Sequence, residues 1–174
     1  MDTTRMRTWA EIDLTALEHN YRTLRAMLPR ECRFLGLCKA NAYGHGAAVI
    51  GHTLERLGAD MLAVACVSEA EELRQSGVKL PILCLGETPE ELIPLLLELD
   101  VTQMVEDLET GRRLSAAAQR AGRTLRVHVK LDTGMSRLGF LWEAGREEET
   151  ADEIARLCRL RRRQNRVAEL GMLF

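Results

Sequence analysis

Aromatic residues are scarce in this sequence and make up only 4% of its 174 residues. The hydrophobic core must therefore be built mainly from Leu, Val, Ile and Ala. Long apolar runs are absent too, since no stretch approaches the roughly 18 apolar residues of a membrane-spanning helix. Residues 1–20 contain acidic side chains where a signal peptide would be apolar, so we expect a cytoplasmic protein without a membrane partner.

The sequence also lacks a strong excess of either charge. Its formal net charge of −2 gives no electrostatic reason to expect nucleic acid as a partner. The five cysteines form no CxxC pair and no zinc-like spacing, and lie at positions 32, 38, 66, 84 and 158. Such a scattered, odd set predicts reduced thiols rather than a disulfide framework or a metal site.

Short apolar runs alternate with longer helical patterns along the chain. Five runs of strand length occupy residues 34–38, 61–67, 81–85, 101–105 and 125–131. Helices are predicted at 15–28, 47–57 and 107–121, and two more after residues 68 and 88. Strands that alternate with helices at this spacing predict a parallel α/β fold.

Capping residues indicate where three of these helices begin. Thr15 and Ser68 each precede a glutamate by three positions, which is the pattern of a capping box. Thr88 is followed by Pro89 and acidic residues, the form of an N-cap with proline in the first helical position. We therefore expect Thr15, Ser68 and Thr88 to cap helices.

Two parallel α/β architectures fit this alternation. A doubly wound open sheet can be completed within 174 residues, whereas a (β/α)8 barrel typically needs about 250. Topology alone therefore favours the open sheet, and only the motifs described next favour the barrel.

Lys39 directly follows the first apolar run and opens the segment KANAYGHG. Active-site residues of parallel α/β folds gather at the carboxyl ends of strands. Burial there favours the free amine of a lysine, the form that attacks an aldehyde. Gly44 and Gly46 would let an anion approach the backbone, and the next helix N-terminus favours phosphate. Taken alone, however, the segment is explained somewhat better by an exposed lysine before a glycine-rich turn.

A second candidate segment is the fifth apolar run with the turn after it. Strand alternation places His128 and Lys130 on one face and the valines on the other. An inward lysine in a strand is costly unless it is paired or modified. Arg137, just after the turn, can offer several donors to a phenolate or a carboxylate. The alternative is a snorkelling lysine and a surface arginine, which is the simpler explanation of this segment alone.

Taken together, these segments resemble the alanine racemase family. The similar segments are TWAEIDL from residue 8, HNY from 19, KANAYGHG from 39, GAD from 58, PIL from 81 and KLDTGMSRLG from 130. Their order and spacing match the family from residue 7 to residue 140, and KANAYGHG is a highly specific string.

The resemblance implies a fold, a cofactor and an activity. In such enzymes a (β/α)8 barrel binds pyridoxal 5'-phosphate and is followed by a β-rich C-terminal domain. They are homodimers that interconvert L- and D-alanine and feed peptidoglycan synthesis. We therefore expect residues 1–174 to be a partial N-terminal barrel domain, with the first five or so βα units and without the C-terminal domain.

The resemblance also implies roles for four residues. Lys39 matches the lysine that forms the Schiff base with the cofactor and acts as a base on one face of the substrate. Tyr43 matches a residue that contacts the cofactor phosphate, and Arg137 matches one that contacts its phenolic oxygen. Lys130 matches a lysine that is carbamylated in many members, and that carbamate would help to hold Arg137.

The last part of the sequence departs from the family. Residues 156–166 contain six arginines, and the Thr-His-Phe segment expected near 167–174 is absent. A truncated or frameshifted reading frame explains this more simply than a new function does. The arginines are likewise better explained by a solvated helix face, or by the product of a shifted frame, than by a nucleic-acid-binding patch. Because the family's opposing base is a tyrosine of the C-terminal domain, we expect the isolated chain to have little or no racemase activity.

Two other functions remain alternatives at this point. A non-catalytic barrel protein that binds pyridoxal phosphate would share the cofactor, but it would lack the KANAYGHG string. A related decarboxylase, or a racemase of broader specificity, would share the barrel. The segment around Lys39 favours alanine as the substrate.

Overall fold

The structure, a computed structural model, describes residues 8–160 and the backbone of residues 167–173. The strands are β1 (Leu35–Leu37), β2 (Met61–Val64), β3 (Ile82–Cys84), β4 (Val101–Val105), β5 (Leu125–Asp132), β6 (Phe140–Leu141) and β7 (Val167–Leu173). The helices are α1 (Leu14–Ala26), α2 (Lys39–Tyr43), α3 (Ala47–Leu57), α4 (Val67–Gln75), α5 (Ile93–Glu98), α6 (Leu108–Arg120) and α7 (Glu147–Leu160). A 3-10 turn, Glu90–Leu92, precedes α5. Within the described part of the chain, no helix has the length and apolarity needed to cross a bilayer.

The sheet is parallel and follows the order of the sequence from β1 to β6. β7 pairs with β5, which therefore contacts β4, β6 and β7. The five predicted strands are confirmed, whereas β6 and β7 lie outside the five predicted runs. Because parallel strands end at the same edge, the residues that follow β1 to β5 gather there.

The main hydrophobic cluster fills the space between the sheet and the helices. Its largest fully buried apolar side chains are leucine, isoleucine and valine, as the scarcity of aromatics predicts. One aromatic pair contributes, since the rings of Tyr21 and Phe34 lie 4.8 Å apart in an edge-on arrangement. A smaller cluster of Ala63, Leu83 and Met104 forms separately on alternate strand positions. This second cluster lies beside a cavity at the carboxyl edge of the sheet, because Met104 belongs to the cluster and also lines the cavity.

The first helix begins at Leu14, and Asp13 rather than Thr15 is its capping residue. Asp13 Oδ1 accepts hydrogen bonds from the backbone N–H groups of Thr15 (2.8 Å) and Ala16 (3.2 Å). Asp13 has an extended backbone, so its carboxylate can reach the free N–H groups of the first turn. The predicted cap at Thr15 is therefore wrong by two residues, and the helix ends at Ala26 rather than at residue 28.

The other two predicted caps are also wrong. Ser68 lies inside α4, which begins at Val67. Thr88 is buried and donates its hydroxyl to Gln103 Oε1 at 2.6 Å, so it does not cap a helix. Pro89 precedes the short 3-10 turn, and α5 begins at Ile93, directly after that turn. The Thr88 hydroxyl therefore bonds to a side chain of β4 instead of capping the helix start that the sequence pattern indicates.

The arginine-rich segment near the end of the chain is described only in part. Residues 156 to 160 belong to α7, whereas residues 161–166 lie outside the described residues.

Candidate active site

A cavity of about 410 Å³ opens at the carboxyl edge of the sheet. Three of the four predicted site residues line it, namely Lys39, Lys130 and Arg137. The rest of the wall is mainly apolar and consists of Leu37, Leu85, Met104, Thr133, Met135 and Leu138. An apolar wall with a few charged groups is typical of a small-molecule site, and the cationic groups here suit an anionic ligand.

Lys39 enters this cavity from the end of β1. Cys38, just before it, is fully buried, and its backbone N–H donates to the carbonyl of Ala63 in β2 at 2.8 Å. Burial raises the pKa of the Cys38 thiol to about 11, so this thiol stays protonated at neutral pH. Lys39 itself is half-buried, and its Nζ lies 5.9 Å from the centre of the Tyr43 ring. An anchored strand end therefore presents a single primary amine next to an inert thiol.

The sequence predicted a loop after Lys39. In the structure these residues, which make up most of α2, form a helical turn of left-handed geometry. Ala40, Asn41 and Ala42 have φ angles of 51°, 54° and 52°, and Tyr43 follows with 55°. Each L-residue in this conformation costs about 1–2 kcal/mol. Four in succession persist only where surrounding contacts hold them.

Asn41 and Glu69 provide these contacts. The Asn41 carbonyl accepts hydrogen bonds from the N–H groups of Gly44 and Gly46, each at 3.0 Å. Asn41 Oδ1 accepts another from Ala47, the first residue of α3, at 2.7 Å. From α4, Glu69 Oε1 accepts the N–H of Ala40 at 2.7 Å. The turn is therefore held from both ends.

The loop glycines have a conformational role in the structure. Gly44 and Gly46 have φ angles of 87° and 93°, which glycine adopts without strain. Neither lines the cavity, and the N–H groups of Gly46 and Ala47 are already bonded to Asn41. The geometry thus gives no support to the expectation that the glycine backbone of this loop and the N-terminus of α3 hold a phosphate.

Lys130 lies where strand alternation predicts, half-buried on the face opposite Val129. Its Nζ donates a hydrogen bond to the carbonyl of Leu131 at 2.5 Å. Gly139 packs against it with a φ of 119°, and a Cβ there would lie 2.8 Å from Lys130 Cγ. The chain after β5 therefore folds back closely onto the lysine.

Asp132 folds the turn that carries Arg137. Its Oδ1 accepts the N–H groups of Gly134 (3.0 Å) and Ser136 (2.9 Å), and its Oδ2 accepts that of Arg137 (2.8 Å). These bonds, that of Gly134 foremost, hold the pKa of Asp132 below its usual value, and the charge of Lys130 adds to the effect. Asp132 thus fixes the main chain of Arg137, whose side chain lies at the exposed rim.

Sequence reasoning did not assign site roles to Asp132, Asn41 or Glu69. An aspartate followed by Thr-Gly is a known signal for a side chain that bonds its own turn, so Asp132 could have been found. Tyr43 was assigned a role, yet its side chain is 58% exposed and does not line the cavity.

Fold and site together define a parallel α/β domain with a lysine-centred ligand cavity at the carboxyl edge of its sheet. Comparison with known proteins identifies the family. The family model described as alanine racemase, N-terminal domain, matches residues 12–164. The alanine racemase of Desulfovibrio desulfuricans is 43% identical over 143 residues, which cover 82% of this chain and 37% of the relative.

Solved structures agree with the sequence comparisons. Alanine racemase from Clostridium difficile 630 superposes with a TM-score of 0.87 and 38% identity over 97% of this chain and 42% of its own. A complex of an alanine racemase from the same organism with cycloserine also gives a TM-score of 0.87. The chain belongs to the alanine racemase family. It spans about two fifths of the length of the curated relatives it matches.

These matches also decide between the two architectures. The prediction of an incomplete (β/α)8-type barrel is confirmed, and the doubly wound sheet that topology alone favours is wrong. The family match runs to residue 164, past residue 140, where the recognisable motifs end.

Proposed function

We propose that residues 1–174 are part of the N-terminal barrel domain of a cytoplasmic, pyridoxal-phosphate-dependent alanine racemase. The full-length enzyme would act as a homodimer, interconvert L- and D-alanine and supply D-alanine for peptidoglycan. The observation that carries this proposal is the convergence of Lys39, Lys130 and Arg137 on one cavity. The reaction is proposed for a protein of the relatives' length, because this chain spans only 37% of the Desulfovibrio desulfuricans relative.

The residues of the cavity fit pyridoxal phosphate. This cofactor carries an aldehyde, a phenolic oxygen and a phosphate on one aromatic ring. The cavity offers a primary amine at Lys39, cationic donors at Lys130 and Arg137, and an apolar wall that includes Leu85 and Met104. When bound, the cofactor would stabilise negative charge at the α-carbon of the substrate amino acid.

Each proposed role uses a feature of the residue's position. Lys39 would bind the cofactor covalently and then accept or return a proton on one face of the substrate. Arg137 would donate to the phenolic oxygen through the planar fork of its guanidinium. Tyr43, close to Lys39 but outside the cavity wall, would contact the phosphate.

Lys130 is proposed to carry a carbamate. Three cationic side chains share the cavity, and a carbamate would turn one of them into an anion that accepts hydrogen bonds from Arg137. With ¹³C-labelled bicarbonate, we expect one protein-bound carbamate signal in NMR spectra. The signal should vanish in Lys130→Ala and persist in Lys79→Ala, where the lysine is exposed. A signal that survives in Lys130→Ala would refute the assignment.

Exchange of the α-hydrogen of alanine tests the proposed reaction. A base on one face of the substrate reaches the α-hydrogen of only one enantiomer. In D2O, the chain loaded with pyridoxal phosphate should therefore exchange the α-hydrogen of one alanine enantiomer at least about tenfold faster than that of the other. Net racemisation should be slight. The measurement is the loss of the α-proton NMR signal from separate L- and D-alanine samples, with Lys39→Ala as the control.

The same experiment separates the alternatives. Cofactor binding without exchange above that of free pyridoxal phosphate would indicate a non-catalytic cofactor-binding barrel. Release of CO2 from an amino acid would indicate a related decarboxylase. Equal exchange of both enantiomers that persists in Lys39→Ala would contradict the proposed role of Lys39.

A further inference from the structure

Glu69 connects two neighbouring strand ends at the carboxyl edge of the sheet. It lies in the first turn of α4, is half-buried, and uses its two carboxylate oxygens separately. Oε2 accepts the N–H of Ala65, just after β2, at 2.7 Å. Oε1 accepts the N–H of Ala40, just after Lys39 at the end of β1, at 2.7 Å. Both distances are short for an N–H donor, as expected when the acceptor is a carboxylate.

The bond to Ala65 alone would be an ordinary contact at the start of a helix. A glutamate in the first turn often accepts an N–H group just before the helix, and the helix dipole favours its charge. The bond to Ala40 is different, because it joins residues 29 positions apart in the sequence. It reaches Ala40, the first residue of the left-handed turn, whose backbone conformation is unfavourable for an L-residue.

The left-handed turn determines where Lys39 lies relative to Tyr43 and the cavity. The turn begins at Ala40, whose N–H belongs to the peptide group that joins Lys39 to Ala40. Without an acceptor for the Ala40 N–H, the peptide group after Lys39 could return to a more common conformation, since several left-handed residues in succession are unfavourable. Rotation of this peptide group would move the Cα and Cβ atoms of Lys39, and its amine with them.

We propose that Glu69 is a positioning residue for Lys39. Its carboxylate holds the left-handed turn against β2, so that the Lys39 amine is presented to the cavity. This inference rests on the proposed function, because the position of Lys39 matters only if Lys39 carries the cofactor. Glu69 acts through the backbone and does not line the cavity itself.

The test compares Glu69→Ala and Glu69→Gln with Glu72→Gln, an exposed glutamate on the same helix. Hydrogen exchange of the Ala40 and Ala65 amides reports on the two bonds directly. Absorbance titration with pyridoxal phosphate reports on the Schiff base at Lys39. In Glu69→Ala we expect both amides to exchange about tenfold faster and the apparent affinity for the cofactor to fall about tenfold.

Glu69→Gln keeps the size of the side chain and one carbonyl oxygen, so one of the two amides should stay protected. The cofactor affinity should then follow the protection of Ala40 and not that of Ala65. Thermal unfolding of each variant separates this effect from a general loss of stability, which would speed exchange across the whole sheet.

The outcomes separate the two proposals. If the wild-type chain forms no Schiff base, the proposed function fails for this chain, and protection of Ala40 alone decides whether Glu69 holds the turn. If Ala40 exchanges freely in Glu69→Ala while cofactor affinity is unchanged, the positioning role is overturned. It is likewise overturned if Ala40 stays protected, or if Glu72→Gln has the same effect.

Discussion

Replacement of Lys39 by alanine is expected to abolish covalent attachment of pyridoxal phosphate, while Lys79→Ala leaves it intact. The chain contains only three lysines, Lys39, Lys79 and Lys130, so each can be tested in turn. Lys79 is exposed and precedes β3, so it lies at the opposite end of the strands from the cavity. The measurement is the long-wavelength absorbance band that a Schiff base of the cofactor gives on titration.

This substitution should affect the fold very little. Lys39 is half-buried at the mouth of a cavity and is not part of the hydrophobic core. We therefore expect the free energy of unfolding to change by less than about 1 kcal/mol. A band that persists in Lys39→Ala, or that disappears in Lys79→Ala with the fold intact, would contradict the assignment.

Asp132→Ala is expected to disorder the turn that carries Arg137. The substitution removes the acceptors of three backbone N–H groups, those of Gly134, Ser136 and Arg137. We expect these amides to exchange more than tenfold faster and the apparent affinity for pyridoxal phosphate to fall by a similar factor. Asp132→Asn is the matched control, because its single carbonyl oxygen can retain part of the set.

The contribution of Asp132 to stability should depend on pH in a defined direction. Its pKa is lower in the folded protein than in the unfolded chain, where it is about 3.9. Its stabilising effect is therefore complete above that value and is lost as the pH falls through the lower, folded pKa.

The difference in melting temperature between wild type and Asp132→Ala should consequently be constant near neutral pH and shrink below about pH 4. The difference in melting temperature between Asp132→Asn and Asp132→Ala should not show this acid dependence, since neither of these side chains titrates. A difference that stays constant down to the acid limit of folding would contradict the role of the ionised carboxylate.

Local patterns predicted the middle of the chain well. β4 covers Val101–Val105 and α3 covers Ala47–Leu57, as expected from periodicity. α3 has a glycine on each side, Gly46 and Gly58, and both have positive φ angles. The helix starts were predicted less well, because a capping box describes only nearby residues. Thr88 bonds to Gln103, a partner 15 positions away that no local pattern contains.

The candidate site, too, could be predicted from the sequence only in part. Lys39, Lys130 and Arg137 could be predicted to converge because each lies at or just beyond the carboxyl end of a parallel strand. The left-handed turn could not be predicted, since nothing in Ala-Asn-Ala-Tyr favours four such residues in succession. Its support comes partly from Glu69, which only the fold brings close.

The most direct test of Lys39 as the cofactor lysine is borohydride reduction of the chain in the presence of pyridoxal phosphate, followed by peptide mapping. Reduction fixes the cofactor to whichever lysine holds it, and only three lysines compete. We predict that the adduct lies on the peptide that contains Lys39, at close to one cofactor per chain. An adduct on Lys79 or Lys130, or an even spread over all three, would contradict the proposed site.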